Sequence, residues 1–159
     1  MKLYHGTNVD FDFIDFNKTQ KYKDFGQGFY LTDIRSQAEE LAKKKVRIFG
    51  GTPIVQEYDF DESNFASPNI NVLSFKSVCI EWAEFIYKNR SRTIPAFTHS
   101  YDIVIGPIAD DGVAYLLGRY EEGSYTIEQL AKELEFKKLN RQFYFGTDKA
   151  IQLLKRIKE

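Results

Sequence analysis

The sequence predicts an α+β fold in which most strands pair in antiparallel fashion. Segments with alternating apolar residues are interspersed with segments whose apolar residues recur at helical spacing, without the strict strand–helix alternation of a parallel sheet. The chain holds 14 Phe and 10 Tyr, an aromatic content that favours a β-rich core. With 159 residues, 43% of them hydrophobic and 28% charged, residues 1–159 are predicted to form one globular domain.

The predicted strands are short and bounded by glycine, proline or polar residues. They cover residues 2–5, 27–31, 53–60, 102–105 and 141–145. Gly106-Pro107 is expected to end the fourth of them. Residues 8–26 are polar with interleaved aromatic side chains and predict a long loop.

The predicted helices each follow a residue that can cap a helix N-terminus. The candidate caps are Asp33, Ser74, the Asp110-Asp111 pair, Thr126 and Thr147. Thr126 to Gln129 has the form of a capping box. The helix after Ser74 is expected to include residues 75–86, the one after the aspartate pair to reach Leu116, and the last to reach Ile157.

Composition narrows the classes of protein that the chain can belong to. A net charge of -1 argues against broad electrostatic binding of nucleic acid. The single cysteine, Cys79, excludes an internal disulfide and is predicted to be a buried, inert thiol. The chain begins in a strand-like segment without a charged-then-apolar leader, and no apolar run approaches membrane-spanning length. These features predict a soluble, cytoplasmic protein.

Two segments near the amino terminus carry the chemistry expected of a binding cleft. Tyr4-His5-Gly6-Thr7 offers an imidazole, an unhindered backbone and a hydroxyl. Asp24-Phe25-Gly26-Gln27-Gly28-Phe29-Tyr30 offers two glycines leading into an aromatic strand, with Tyr30 on the face opposite Phe29. Together they predict a cleft for a flat, phosphate-bearing ligand such as a dinucleotide. Taken separately, they are also compatible with a structural histidine, a turn glycine and an ordinary sheet tyrosine.

In this combination and order the two segments resemble the ADP-ribosyltransferase superfamily, in its diphtheria-toxin-like and poly(ADP-ribose)-polymerase-like branch. The whole chain is also similar to a small bacterial family of uncharacterised ADP-ribosyltransferase-like domains, through residues 24–32, 101–111 and 142–154. The resemblance implies split antiparallel β-sheets with flanking helices around an NAD cleft. It also implies NAD as co-substrate and no metal.

The resemblance implies roles for individual residues. His5 would hydrogen-bond the adenosine-side ribose of NAD, Gly6 would hold the nicotinamide carboxamide through its backbone, and Thr7 would assist with a ribose. Tyr30 would stack on the nicotinamide. The NAD-binding set implied in this way is His5, Gly6, Thr7, Gly28, Phe29, Tyr30 and Thr32. A second stacking tyrosine expected on the following helix is replaced by Leu41.

The chain departs from the superfamily pattern on the late strand. The position that matches the catalytic glutamate is Gln142, whose amide accepts a hydrogen bond but brings no negative charge. Asp110 and Asp111 are candidates to supply that charge, with the choice between them open and helix capping as the alternative. The catalytic set proposed from the sequence is therefore His5, Tyr30, Gln142 and Asp111.

Three further groups of polar residues have an ordinary structural interpretation. His99 is predicted to be a solvated loop histidine. Lys43-Lys44-Lys45 with Arg47 is predicted to form the solvated face of a helix. Asn89 to Arg92 is either a pyrophosphate or acceptor-phosphate site, or a set of cations attracted to a helix C-terminus.

The leading functional hypothesis is an NAD-dependent ADP-ribosyltransferase that modifies a macromolecular acceptor. The near-neutral charge favours a protein acceptor over nucleic acid, and residues 118–140 correspond to the acceptor-recognition segment of the superfamily. Fold-level analogy suggests a bacterial toxin or effector with a neutralising antitoxin partner. The alternatives are an NAD glycohydrolase, in which water is the acceptor, and a catalytically weak module that binds NAD or ADP-ribose.

Overall fold

The computed structural model describes residues 1–135 and 139–158, and these residues form strands and helices in mixed order along the chain. The strands are β1 (Lys2–Thr7), β2 (Phe29–Leu31), β3 (Ile54–Asp59), β4 (Val72–Ser74), β5 (Ile103–Pro107), β6 (Arg141–Phe145) and β7 (Lys155–Ile157). The helices are α1 (Arg35–Phe49), α2 (Ile80–Arg90), α3 (Asp111–Glu121), α4 (Ile127–Leu134) and α5 (Asp148–Ile151).

The strands are divided between two sheets. One sheet has the order β1-β3-β7 and is antiparallel throughout. The other has the order β2-β6-β5-β4, and only its β4–β5 pair is parallel. The prediction of an α+β fold with mostly antiparallel pairing is therefore confirmed.

Among the described residues, one isolated backbone bridge joins the two sheets, between β1 and the end of β2. The amide of Tyr4 donates to the carbonyl of Thr32 at 2.8 Å, and the amide of Thr32 donates to the carbonyl of Tyr4 at 2.9 Å. Beyond this bridge the backbones of β1 and β2 separate, which opens a gap between the sheets. We call this region the seam.

Two apolar clusters hold the sheets and helices in place. One lies between the four-stranded sheet and helices α2 to α4, and includes Trp82, Ile86, Val104 and Leu130. The other lies between the two sheets and joins β1, β2 and β6 through Leu3, Phe29 and Phe143, among others. This second cluster includes side chains of both β1 and β2, the two strands that border the seam. Within the described residues no helix is both long and apolar enough to cross a bilayer.

The prediction of a helix directly after Ser74 is wrong. Ser74 ends β4, which pairs with β5, and the amide of Phe75 continues this pairing by donating to the carbonyl of Ile105 at 2.8 Å. Helix α2 begins only at Ile80, and Cys79 occupies its N-cap without a side-chain hydrogen bond. Residues 72–75 satisfy their backbone groups on a distant strand, and this pairing overrides the helical spacing of their apolar side chains.

The prediction of a long last helix is also wrong. The cap at Thr147 is confirmed, because its hydroxyl accepts from the amide of Ala150, but α5 ends at Ile151. The chain then forms β7, which pairs with the free edge of β3. A sheet edge offers unpaired backbone groups, and a short strand satisfies them where a helix would leave them to solvent.

Three further boundaries differ from prediction, and one further cap is as expected. Asp33 does not cap α1: Ile34 is the N-cap residue, and Asp33 instead accepts from Arg141 at 2.6 Å. Gly106-Pro107 lies inside β5, and α3 extends beyond Leu116 to Glu121. The capping box at Thr126 is confirmed.

Candidate functional site

Two adjoining cavities open at the seam. The first cavity, of about 520 Å³, is lined on β1 by His5 and Thr7. The second cavity, of about 470 Å³, is lined by Gly6 and by Gln142 of β6. Tyr30 and Lys23 line both cavities and stand at the boundary between them. Each volume lies in the range of small-molecule binding sites.

The imidazole of His5 links the two sheets just past the backbone bridge. Its Nδ1 lies 2.7 Å from the carbonyl oxygen of Tyr30, and a carbonyl only accepts, so Nδ1 carries the proton. Nε2 is then an unprotonated acceptor, and His5 lines the first cavity. The ring packs on Phe29 with centroids 4.3 Å apart, and burial, together with the charge of Lys45, lowers the pKa of His5 to about 3. His5 is therefore neutral at physiological pH.

Tyr30 presents its ring to the cavities, while its hydroxyl is engaged elsewhere. The hydroxyl donates to the carbonyl of Gly26 at 2.6 Å and accepts from the amide of Phe25 at 2.9 Å. Burial raises the pKa of Tyr30 well above its ordinary value, so the hydroxyl stays protonated. The ammonium of Lys23 stands over the ring, 4.4 Å from its centroid. What Tyr30 offers a ligand is thus an aromatic face that already attracts a cation.

Gly6 lies where helix α1 packs most closely on β1. A Cβ at this position would lie 2.1 Å from the carbonyl oxygen of Ala38, so any side chain would push the helix away. Backbone groups two residues apart in a strand point to the same side, so the N–H and C=O of Gly6 point, like those of Tyr4, toward the gap. The ammonium of Lys45 donates to this carbonyl at 2.8 Å.

The remaining residues of the implied NAD-binding set form cavity walls. The hydroxyl of Thr7 donates to the carbonyl of Val9, and that of Thr32 accepts from the amide of Ile34. Gly28 leaves room for Tyr144, whose ring would lie 2.3 Å from an added Cβ. Phe29 is buried in the inter-sheet core beneath His5. These residues line one or other cavity, and their contact with NAD stays a prediction.

Gln142 faces the second cavity from the end of β6. Its Nε2 lies 3.0 Å from Oδ2 of Asp24 and 3.4 Å from the carbonyl oxygen of Pro107. Leu41, at the position of the second stacking tyrosine, lines the same cavity. The structure therefore brings His5, Tyr30 and Gln142 to one continuous cleft.

The two aspartates that were candidates for the missing charge lie elsewhere. Asp110 accepts from the amide of Val113 at 2.8 Å and caps α3. Asp111 is exposed in the first turn of the same helix. Neither residue lines the first or the second cavity. Asp110 is therefore a helix cap. The position of Asp111 gives no support to a catalytic role.

The cleft contains more lysine side chains than the sequence predicts. Lys45 is half-buried and lines the first cavity, so the prediction of a solvated face is wrong for this lysine. Burial, reinforced by the charge of Lys23, lowers the pKa of Lys45 to about 8. Burial also lowers the pKa of Lys23. A signal was present: Lys45 follows the buried residues Ala38 and Ala42 at spacings of seven and three, on the same helical face.

His99 is not the solvated loop histidine that the sequence predicts. Its Nδ1 accepts from the amide of Tyr101 at 3.2 Å, so the proton is on Nε2, which donates to the carbonyl of Phe25 at 2.7 Å. The ring packs against Phe85 and Tyr144. His99 thus anchors the segment that carries the second motif.

The cations at the end of α2 do not reach the cleft. Arg90 donates to Asp24 from Nε at 2.7 Å, and the guanidinium of Arg92 lies over the ring of Tyr22. Asn89 is buried and donates to the carbonyl of Phe85. None of the three lines the first or second cavity, which disfavours the pyrophosphate interpretation.

Metal ligands and the single cysteine are the remaining groups with possible chemical roles. In residues 1–135 and 139–158, no three His, Cys, Asp or Glu side chains are grouped as metal ligands. Cys79 is half-buried and not fully buried as predicted; burial raises the pKa of its thiol, and its inertness stays a prediction.

Comparisons with known proteins place the chain in one family. A search of curated proteins and a search of solved structures find no match. Residues 1–156 match the family described as "Protein of unknown function (DUF3990)". Because this match spans nearly the whole chain, the protein is a member of the DUF3990 family.

Proposed function

We propose that this protein is an NAD-dependent ADP-ribosyltransferase. The observation that carries the proposal is the convergence of His5, Tyr30 and Gln142 on two adjoining cavities with a lysine at their boundary. NAD has two ring systems joined by an anionic pyrophosphate. A cleft with two chambers and a lysine between them has the matching distribution of space and charge.

The aromatic face of Tyr30 suits the nicotinamide end of NAD. The nicotinamide ring of NAD is a cation, and the position over Tyr30 is held in the free protein by the ammonium of Lys23. A bound nicotinamide would replace this ammonium on the ring. Lys23, which lines both cavities, would then be free to pair with the pyrophosphate between them.

Strand β1 offers hydrogen-bonding groups for the parts of NAD on either side of the pyrophosphate. The unprotonated Nε2 of His5 can accept a hydrogen bond from a ribose hydroxyl in the first cavity. The amide of Gly6 points into the gap and can donate to the carboxamide oxygen of nicotinamide. These pairings match the roles that the resemblance assigns to the two residues.

In the proposed reaction the bond between the ribose carbon and the nicotinamide nitrogen breaks, and its electron pair leaves with neutral nicotinamide. An acceptor nucleophile forms the new bond to that carbon and loses a proton. Gln142 would accept a hydrogen bond from the 2′-hydroxyl of the reacting ribose. Without a negative charge at this position, we expect a rate roughly two to three orders of magnitude below that of a glutamate-bearing enzyme.

The uncharged amide of Gln142 also favours one other function, the binding of NAD or ADP-ribose with little turnover. Water in place of a macromolecular acceptor would make the protein an NAD glycohydrolase. The proposed acceptor is a protein, and residues 118–140 are the proposed contact segment, of which 136–138 lie outside the described residues.

The test measures nicotinamide release and transfer of label from NAD to a cell lysate. We expect wild type to release nicotinamide and to label a macromolecule, and Tyr30→Ala and His5→Ala to lose both activities. Tyr115→Ala is the matched control, because Tyr115 is an exposed tyrosine on α3 away from both cavities. Equal labelling by all four proteins would contradict the proposal. NAD binding without nicotinamide release would favour the binding module, and release without labelling the glycohydrolase.

A further inference from the structure

A chain of charged hydrogen bonds stands behind Gln142. Arg90 of α2 donates to Oδ1 of Asp24 at 2.7 Å, and the other oxygen of that carboxylate accepts from Nε2 of Gln142 at 3.0 Å. The carboxylate of Asp24 is largely buried. The three residues come from a helix, a loop and a strand that are far apart in sequence.

This arrangement determines which end of the Gln142 amide faces the cleft. Both groups near Nε2, the Asp24 carboxylate and the Pro107 carbonyl, accept hydrogen bonds and cannot donate them. The amide nitrogen must therefore lie on their side. Gln142 lines the second cavity, so its oxygen is the group presented there.

We propose that Asp24 is a positioning residue for catalysis, whose carboxylate holds the amide of Gln142 with its oxygen toward the reacting ribose. This inference rests on the proposed function, since it assigns the oxygen of Gln142 to the 2′-hydroxyl of that ribose. A glutamate has an oxygen at both positions and needs no such orientation. A glutamine does, because a flipped amide would present a donor. The pairing with Arg90 holds the carboxylate of Asp24 in place.

Two substitutions separate positioning from general structural support. In Asp24→Asn the amide nitrogen of the new side chain would replace the oxygen beside Gln142, because Arg90 requires an acceptor on its own side. Gln142 would then flip and turn its NH₂ group toward the cavity. In Asp24→Asn with Gln142→Glu, the new carboxylate would accept from Asn and still present an oxygen. Gln142→Glu alone would place two carboxylates together, and one of them would take up a proton.

The kinetic experiment measures nicotinamide release by the full chain for wild type, both single variants and the double variant. We expect Asp24→Asn to lower kcat by about 100-fold with KM for NAD unchanged. The kcat of the double variant should be at least tenfold higher than that of Asp24→Asn. The kcat of Gln142→Glu alone should not exceed that of wild type. Asp33→Asn is the matched control. It removes another aspartate–arginine ion pair, that between Asp33 and Arg141, and Arg141 is the residue next to Gln142 in the sequence. Wild-type kcat in Asp24→Asn, or no recovery in the double variant, would overturn the inference.

A second measurement does not depend on activity. The side-chain NH₂ resonances of Gln142 are identified in a ¹⁵N-correlated NMR spectrum by their absence in Gln142→Glu. We expect them to move upfield in Asp24→Asn, because the bond to a carboxylate is lost, and to stay in place in Asp33→Asn. Unchanged resonances in Asp24→Asn would refute the positioning role. If wild type releases no nicotinamide, the proposed function fails, and the NMR result still decides whether Asp24 orients Gln142.

Discussion

Burial of a neutral histidine at the seam predicts how the stability of this protein depends on pH. The pKa of His5 is about 3 in the folded chain, against an ordinary value of 6.5, chiefly because its ring is buried. Below pH 6.5 the unfolded chain takes up a proton at this residue, while the folded chain does not. The unfolded state is then favoured, so the contribution of His5 to stability is lost as pH falls from 6.5 toward 3.

The size of the effect follows from this difference in pKa. Each unit of pH below 6.5 lowers the free energy of unfolding by about 1.4 kcal/mol, as long as the folded histidine stays neutral. At pH 5 the full effect would be about 2 kcal/mol. One side of the His5 ring borders the first cavity, where solvent reduces the burial, so we expect about 1–2 kcal/mol. This is a large share of the stability of a typical domain.

Urea denaturation at pH 7, 6 and 5 tests this prediction when wild type is compared with His5→Gln. Glutamine keeps a donor for the carbonyl of Tyr30 but does not titrate. All other ionisable groups are identical in the two proteins, so their contributions cancel in the comparison. We expect wild type to lose about 1–2 kcal/mol more than the variant between pH 7 and 5. Parallel pH profiles would show that His5 is not buried as a neutral ring, and the argument for its tautomer would fail with it.

Two further predictions concern β1 and α1. Gly6→Ala should lower the free energy of unfolding by about 3 kcal/mol in urea denaturation, because its Cβ meets the carbonyl of Ala38; Gly118→Ala, with nothing near its Cβ, should instead stabilise slightly. An equal effect of both substitutions would contradict this packing. NAD affinity, measured by calorimetry, should fall as pH rises above 8, because Lys45 loses its charge there, and Lys45→Arg should remove that fall. The same decline in Lys45→Arg would assign it to another group.

Local sequence patterns predicted those parts of the fold that depend on local interactions. The capping box at Thr126 is formed by residues close together in the sequence. The strand Arg141–Phe145 is indicated by its own residues. The strands β4 and β7 were missed because each has only three residues and exists through pairing with a distant partner. Such pairing leaves no periodic signal in so short a segment.

The candidate site shows the same division. His5 and Tyr30 stand in recognisable local motifs, and the structure brings them together with a bond of 2.7 Å. Lys45 was misjudged because three consecutive lysines suggest a solvated face, although its spacing from Ala42 marks the buried side of α1. The role proposed for Asp24 depends on Gln142, 118 residues away, and on Arg90, 66 residues away, and no pattern within one segment could reveal it.

The position of the cleft at the seam links its chemistry to the stability of the fold. After the bridge between Tyr4 and Thr32, the side chain of His5 supplies the bond that a regular strand pair would make with its backbone. The groups that hold the sheets together here are therefore the groups that face the cavities. A ligand that binds between the sheets must add contacts across the same gap, and at a fixed excess of ligand it must stabilise the folded chain by an amount that grows with the logarithm of its affinity. Substitutions at the seam will change stability and binding together, so loss of activity at His5 carries functional meaning only when folding is measured in the same variant.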